Sequence, residues 1–375
     1  MAASPYPIPR HTNPLDRLAG FLMDELAPYP GRGATVARIV TACTLTAVLV
    51  MMFKLPNGFL GVFYALAISR ADSHATVRSG LYILLANIAA LIVAATGIAL
   101  FVDYPLPRLL FIVIVFFLAF FLTRALTSQA VAFGFTLILV ATASVPIIWA
   151  RPSSFQPDIE TTFWTAFGIM LGTFATVLTE WIFKPYIAGT EKPSNSQPLF
   201  VPDAFSNPEY VKFALKGCLA ATICYVFWSA VAWPGLGVST VTCVLAAPVG
   251  ILGSSRQRLT TRLSGLFFGG VICGIGSEVF ILPQADSIVG YILPMAAISA
   301  IAAWFVTSSP RLNYFGRQMA LAYYITIFQG FGVSTTLVAS RDRLTGILLG
   351  IMVMWFVFDA PVTRQTRAGA MFPPQ

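Results

Sequence analysis

The sequence predicts an all-α polytopic membrane protein with about 12 transmembrane helices, arranged as two parallel six-helix repeats. Three observations predict this fold class: the composition, the long apolar runs, and the similarity between the two halves of the chain. Of the 375 residues, 57% are hydrophobic and 10% are charged, whereas ordinary globular chains carry about 25% charged residues. So few charges cannot cover a water-soluble surface, and most of the chain must therefore face lipid.

Long apolar runs recur from Val36 to Phe358. A helix needs roughly 20 apolar residues to cross a bilayer core of about 30 Å. Because the runs are continuous rather than alternating, helices are required to satisfy the backbone in lipid. Two of the candidate spans, 57–69 and 237–253, are short, and we expect them to be tilted, broken or re-entrant. The candidate spans are 34–54, 57–69, 80–102, 108–123, 129–148, 162–183, 211–232, 237–253, 263–282, 288–307, 316–333 and 343–360.

The charged residues between these spans are distributed asymmetrically. With the N-terminus inside, most of the 23 lysines and arginines lie on the cytoplasmic side. This positive-inside distribution predicts cytoplasmic N- and C-termini and an even number of spans. Topology also accounts for the net charge of +8 without a nucleic-acid partner. The cations on the opposite side are Lys54, Arg108, Arg151, Arg341 and Arg343.

The two halves align with each other without gaps when the sequence is shifted by 178 residues. This alignment is called the repeat register below. Because each half then contains six spans, both halves begin in the cytoplasm and form parallel repeats. The predicted parts are a cytoplasmic segment with an interfacial amphipathic helix (1–33), the first repeat (34–185), a cytoplasmic linker (186–209), the second repeat (210–361) and a cytoplasmic tail (362–375). The repeat register pairs Arg38 with Lys216, Pro56 with Pro234, Arg78 with Arg256, Pro105 with Pro283, and the GIxLG motif at 168–172 with that at 346–350.

Cations beside hydroxyl side chains cluster in two equivalent loops on the predicted cytoplasmic face. They could form a funnel that concentrates an anionic substrate, although positive-inside topology alone would also place them there. Two further polar residues inside spans could line a path or bond between helices. The candidate substrate-path residues are Arg70, Arg78, Arg256, Arg258, Arg262, Arg343, Asn87 and Gln329.

Two spans begin with the shared pattern R-x-x-G-x-x-x-G, starting at Arg262 and Arg343. Glycines four residues apart leave one helix face open to close approach by a neighbour. The pattern therefore predicts tight helix packing, and a snorkelling arginine at each helix end is the alternative to a substrate role. The predicted packing glycines are Gly168, Gly172, Gly265, Gly269, Gly346 and Gly350.

Carboxylates near the spans are few, and Glu180 and Asp359 each lie at the cytoplasmic end of a repeat. An ionised acid at mid-bilayer costs about 2.5–3.5 kcal/mol on insertion scales. The two acids are therefore candidates for proton coupling, and solvated interfacial acids beside aromatic residues are the alternative.

The sequence contains no catalytic, metal or cofactor motif. His11 and His74 lie far apart, and no nucleotide-binding, GxSxG or metal-ligand spacing is present. The five cysteines fall in apolar runs, and we expect them to be reduced core residues. The acidic side chains within segment 1–33 argue against a cleavable signal. We therefore expect a protein that is not an enzyme and that draws any energy from a gradient or from partners.

Three segments resemble the fusaric acid resistance (FUSC) or aromatic acid exporter family. They are the ELAPYPGR stretch at 25–32 leading to Arg38, the segment from Arg262 to Gly269, and the segment 341–350. The resemblance implies a bacterial inner-membrane efflux protein for aromatic or other small organic acids, working with a periplasmic adaptor and an outer-membrane channel. Similar folds in plant malate channels imply a passive organic-anion channel as an alternative, and a non-transporting scaffold is a third. The sequence leaves open whether the chain forms a homo-oligomer.

Overall fold

The structure is a computed structural model, and it describes residues 20, 23–69, 73–127, 155–187, 200–233, 236–246, 255–329, 332–333 and 336–359. Almost all regular structure in these residues is helical. The first half contributes α1 (Arg32–Met52), α2 (Phe59–Ile68), α3 (Ser73–Phe101), α4 (Pro105–Ala125) and α5 (Phe155–Ile187). The predicted span 129–148 and most of the predicted interfacial helix in 1–33 lie outside the described residues.

The second half begins with α6 (Pro208–Val231), α7 (Gly237–Ala246) and α8 (Ser255–Gly265). Helix α8 continues as π-helix through Leu266–Ile275 and Ser277–Ile281, and residues 266–281 are called the π segment below. Helices α9 (Ile288–Val306), α10 (Pro310–Ile327) and α11 (Leu337–Asp359) follow. Between α10 and α11, two-residue strands β1 (Phe328–Gln329) and β2 (Gly332–Val333) pair antiparallel.

Among the described residues, seven helices are long and apolar enough to cross a membrane. Helix α10 is too polar to count among them, and α11 carries three charges at 341–343. Helices α2 and α7 have 10 residues each, and at about 1.5 Å per residue they are too short to cross the core alone. The all-α polytopic membrane class predicted from the sequence is therefore confirmed. The seven helices are Arg32–Met52, Ala75–Phe101, Pro105–Ala125, Ile159–Phe183, Pro208–Val231, Leu259–Gln284 and Ile288–Val306.

The short helices α2 and α7 occupy equivalent places in the two halves. Their first residues and their last residues are paired by the repeat register. Helix α2 packs against α1 and α5, and α7 packs against α6 and α11. Across the halves, α4 packs against α6 while α9 packs against α1. These reciprocal contacts are the arrangement that an internal duplication produces.

The segment before α1 is fastened to the end of α9 by Arg32. Arg32 is 1% exposed, and its guanidinium carbon lies 4.2 Å from the ring centroid of Trp304. Its Nη1 donates to the carbonyl of Ala27 at 2.8 Å, and its Nε donates to Thr307 Oγ1 at 3.2 Å. Trp304 Nε1 in turn donates to the carbonyl of Leu26 at 3.2 Å. Arg32 therefore joins the start of the first half to the second half.

We expect Arg32→Lys to destabilise the protein, because a lysine cannot make the forked hydrogen bonds and the ring stacking together. The expected loss is about 1–3 kcal/mol, measured as a lower thermal unfolding midpoint in detergent. The matched control is Arg78→Lys, since Arg78 is exposed and contacts Tyr82 on its own helix. Equal midpoints for the two variants would contradict the fastening role.

Candidate functional site

A buried ion pair joins α1 to α5. Arg38 Nη1 lies 2.6 Å from both carboxylate oxygens of Glu180. The two side chains are 0% and 2% exposed. Removing one partner of a buried pair costs about 3–5 kcal/mol, because the other charge is left uncompensated. The pair therefore fixes the register between the first and last helices of the first half.

Glu180 is buried inside the bundle and is 1% exposed. The sequence offered proton coupling and a solvated interfacial acid as the two interpretations of Glu180, and its burial does not fit a solvated acid. Protonation of Glu180 would leave Arg38 as a buried cation without its counter-ion, so proton binding there would strain the contact between α1 and α5. Asp359 is the last residue of α11, and its side chain lies outside the description.

Close backbone contact accompanies the ion pair where α2 crosses α5. A Cβ added to Gly172 would lie 2.1 Å from the carbonyl oxygen of Gly61, and one added to Gly61 would lie 2.5 Å from that of Gly168. Real Cβ atoms do not approach oxygen this closely. In the second half, a Cβ on Gly350 would lie 2.5 Å from the carbonyl oxygen of Ser239. The repeat register pairs Gly61 with Ser239 and Gly172 with Gly350.

Two other predicted glycines lie where α8 and the π segment contact α10. A Cβ on Gly265 would lie 2.7 Å from Gln318 Cβ, and one on Gly269 would lie 2.1 Å from the carbonyl oxygen of Met319. Both contacts bring α8 and the π segment against α10. Gly346 is buried in α11.

A largely apolar cavity lies between α7, α8, the π segment, α10 and α11. Its empty volume of about 480 Å³ includes space open to the surroundings. Arg262, which is 8% exposed, contributes a cation to the lining, and its Nε donates to Tyr314 Oη at 2.6 Å. The cavity therefore combines a guanidinium with apolar walls. The lining residues are Val238, Thr242, Arg262, Leu266, Gln318, Leu321, Ala322, Ile325, Ile347 and Ile351.

The other arginine of the shared pattern, Arg343, has a different environment. Its Nη1 donates to the carbonyls of Ile325 and Phe328, at the C-terminal end of α10. The carbonyl of Ile325 is one of those that the last turn of a helix leaves without a backbone partner, and Phe328 begins β1. Arg343 therefore caps α10 and holds the turn that leads into β1.

The remaining path candidates are not brought together. Arg78 is exposed, and its Nε donates to Tyr82 Oη at 3.2 Å. Asn87 is buried, and its Nδ2 donates to the carbonyl of Ala166 at 2.7 Å, which bonds α3 to α5. Gln329 lies on β1 opposite Gly332. Arg256 and Arg258 lie on α8 with side chains outside the description, and Arg70 is outside the described residues.

Sequence reasoning missed Glu278 as a functional candidate. Glu278 is 1% exposed and lies in the π segment, within a helix apolar enough to cross the membrane. The sequence alone could have identified Glu278, because an ionisable residue inside an apolar run is a functional candidate by default. The sequence also placed Arg38 at a cytoplasmic helix end without identifying Glu180 as its partner.

Metal-ligating side chains are scattered through the described residues. No group of three or more His, Cys, Asp or Glu side chains there could hold a metal ion. All five cysteines are free, although Cys224 Sγ and Cys243 Sγ lie 3.5 Å apart.

The fold and these contacts define a class: a multi-pass, all-helical membrane protein with compensated charges buried between its helices. Over 187 residues the chain is 35% identical to the multidrug resistance protein MdtO of Shigella flexneri and to the protein of the same name from Escherichia coli strain K12. The matched stretch covers 48% of this chain but only 27% of each relative. No family model matches the sequence, and no solved structure matches it. The match to MdtO is consistent with the resemblance to the fusaric acid resistance family.

We expect Gly172→Ala to force α2 and α5 apart, because the new methyl group would overlap the Gly61 carbonyl. Overpacking of this kind typically costs about 1–3 kcal/mol, and it should lower the thermal unfolding midpoint. Gly276→Ala is the matched control, since a Cβ there meets nothing within 4 Å. A midpoint for Gly172→Ala at or above that of the control would argue against close packing.

Proposed function

We propose that this chain is the inner-membrane part of an efflux system that moves small organic acids, including aromatic acids, out of the cytoplasm. The observation that carries this proposal is the cavity that places Arg262 beside apolar walls. An organic acid has the complementary chemistry, because its carboxylate pairs with a guanidinium while its apolar part replaces water against the walls. The similarity to proteins named for multidrug resistance supports efflux as the general activity.

The expected topology places both termini in the cytoplasm. The arginines at the cytoplasmic face would then attract the anion before it reaches Arg262. We propose that the path includes Arg262 and that Arg70, Arg78, Arg256, Arg258 and Arg343 contribute cations before and after it, with Asn87 on α3 and Gln329 on β1 as polar contributors. The hydroxyl of Tyr314 fixes the orientation of the Arg262 guanidinium.

Energy for export is proposed to come from a proton gradient. Glu180 is paired with Arg38 between α1 and α5, so a proton that reaches Glu180 would weaken this contact and free the two helices to move. Asp359, at the end of α11, is the corresponding acid of the second half.

We also propose that a periplasmic adaptor and an outer-membrane channel continue the path, and that the chain works as a homo-oligomer.

Two alternative functions would give different results with the purified protein. A passive organic-anion channel would conduct in a planar bilayer without a proton gradient. A scaffold that only assembles other efflux subunits would move no organic acid in liposomes under any gradient. Saturable transport that responds to a proton gradient would exclude both alternatives.

We expect Arg262→Gln to weaken transport of carboxylic acids specifically. Loss of a hydrogen bond to a charged group costs about 1.5–3 kcal/mol, which corresponds to a rise of about ten- to a hundredfold in the half-saturating concentration. The measurement compares benzoate-type acids with their neutral amides in proteoliposomes, and the amides should be unaffected. Arg341→Gln is the matched control, since the Arg341 side chain is 61% exposed, pairs with Asp342 and is not part of the proposed path. An equal loss for acids and amides would show that Arg262 does not recognise the carboxylate.

A second variant series tests proton coupling at the ion pair. Glu180→Gln should lower the folded yield, because Arg38 becomes a buried uncompensated cation. The double variant Arg38→Gln with Glu180→Gln should recover the yield, since both charges are removed. This double variant, with Asp359→Asn added, should move substrate down its gradient but no longer accelerate when a proton gradient is imposed. The exposed Glu209→Gln is the control, and coupling at the wild-type level in the combined variant would overturn the role of these acids.

A further inference from the structure

A second buried carboxylate, that of Glu278, lies apart from the ion pair and from the cavity. Glu278 is held in the π segment, inside the apolar helix Leu259–Gln284. π-helical turns are rare and occur frequently at functional sites. Glu278 lies shortly before Gln284, near the end of this helix that the predicted topology places outside. Arg38 and Glu180 lie near the predicted cytoplasmic side.

The hydroxyl of Ser340 connects Glu278 to α10. Ser340 Oγ lies 2.6 Å from Glu278 Oε1 and 3.3 Å from the carbonyl oxygen of Thr326. Ser340 and Thr326 are fully buried. A hydroxyl has one hydrogen to donate, so Ser340 can donate to one of these two acceptors at a time. Its choice of acceptor depends on whether Glu278 carries a proton.

Ser340 keeps a hydrogen bond to Glu278 in both protonation states, but the direction of this bond reverses. When Glu278 is ionised, Ser340 donates to its carboxylate, and α11 is bonded to the π segment. When Glu278 is protonated, its O–H donates to Ser340 Oγ, and the hydroxyl hydrogen of Ser340 is available for the Thr326 carbonyl. One proton therefore adds a bond from α11 to α10 while the bond to the π segment remains.

The charged and ionisable residues around Glu278 favour a carboxyl group that can hold or release a proton. Arg343 of α11 attracts the negative charge of Glu278, and its bonds to the carbonyls of Ile325 and Phe328 hold it in place in either state. Tyr323 of α10 faces both Glu278 and Cys273 of the π segment. Arg343 makes the ionised form tolerable in the membrane, and the Ser340 hydroxyl offers a hydrogen-bond acceptor to the neutral form.

We propose that Glu278 is a proton-binding residue that, through Ser340, adds a hydrogen bond between α11 and α10 when it is protonated. The proton reaches the Glu278 carboxylate oxygen and leaves from the same atom, so no bond other than O–H changes. Proton binding at this site is independent of the proposed efflux activity. The further idea that a proton bound at Glu278, near the outer side of the membrane, drives export rests on the proposed efflux activity.

A bound sodium ion is the competing occupant, because the same three oxygen atoms could ligate it. Sodium-dependent changes at the site would therefore contradict the proposal.

The direct test is a pH titration of the purified protein in nanodiscs by infrared spectroscopy, in sodium-free buffer. The wild type should show a protonated carboxylic acid band that disappears as the pH rises. The component of this band that belongs to Glu278 should be absent in Glu278→Gln, whose side chain has nearly the same shape, and retained in Glu160→Gln, an exposed acid on α5. An unchanged band in Glu278→Gln, or a band removed by sodium at constant pH, would overturn the assignment.

Ser340→Ala provides a second test in which Glu278 remains in place. The ionised carboxylate loses its hydroxyl donor, so the band should persist and disappear at a higher pH than in the wild type. An unchanged titration would exclude the relay through Ser340.

Transport in proteoliposomes separates this inference from the proposed function. If the wild-type protein exports organic acids, the acceleration of export by a proton gradient should be at least tenfold smaller in Glu278→Gln than in the wild type. Exchange of substrate across the membrane without a gradient should continue in this variant. Full acceleration in Glu278→Gln would exclude a coupling role. If the wild type moves no organic acid, the efflux proposal fails, and the infrared titration alone decides whether Glu278 binds a proton.

Discussion

The ion pair between Arg38 and Glu180 shows the constraint on which this structure depends: charges carried into the membrane must be compensated by other helices. A lone ion in lipid is expensive, so each such residue selects a partner and thereby a helix arrangement. Arg38 ties α1 to α5, Arg343 caps α10, and Arg32 stacks on Trp304 at the end of α9. The buried charges therefore define much of how the helices are joined.

Close backbone contact is the second requirement, and small residues meet it. Lipid gives no hydrophobic drive for one helix to join another, so association depends on packing and interhelical hydrogen bonds. The pairs Gly61 with Gly172 and Ser239 with Gly350 bring each short helix against the last helix of its half. The same contact occurs at equivalent positions of the repeat register, and a short helix held in this way has no need to span the membrane by itself.

The charged groups divide into a cytoplasmic and an outer set in the predicted topology. Arg38 and Glu180 belong to the first set, and Glu278 with Ser340 belongs to the second. The cavity with Arg262 lies beside α8, which continues directly into the π segment that carries Glu278. A change in the bonds of Glu278 would therefore act on the same continuous helix that presents Arg262, which gives a short physical connection between proton binding and the proposed anion site.

The sequence by itself determined the membrane class, because composition and continuous apolar runs admit only helices in lipid. It also singled out Gly172 and Gly350 by their spacing and Glu180 as an unusual acid, since spacing and position along a span are local properties, but it did not single out Gly61 or Ser239 on the other side of those contacts. Only the tertiary structure decided that Glu180 meets Arg38, that Arg343 caps a neighbouring helix while Arg262 lines a cavity, and that Glu278 lies beside Ser340. These partners are 142, 15 to 18 and 62 residues apart in the chain. No local pattern specifies which helix a buried polar side chain will face, because that choice is made by the packing of the whole bundle.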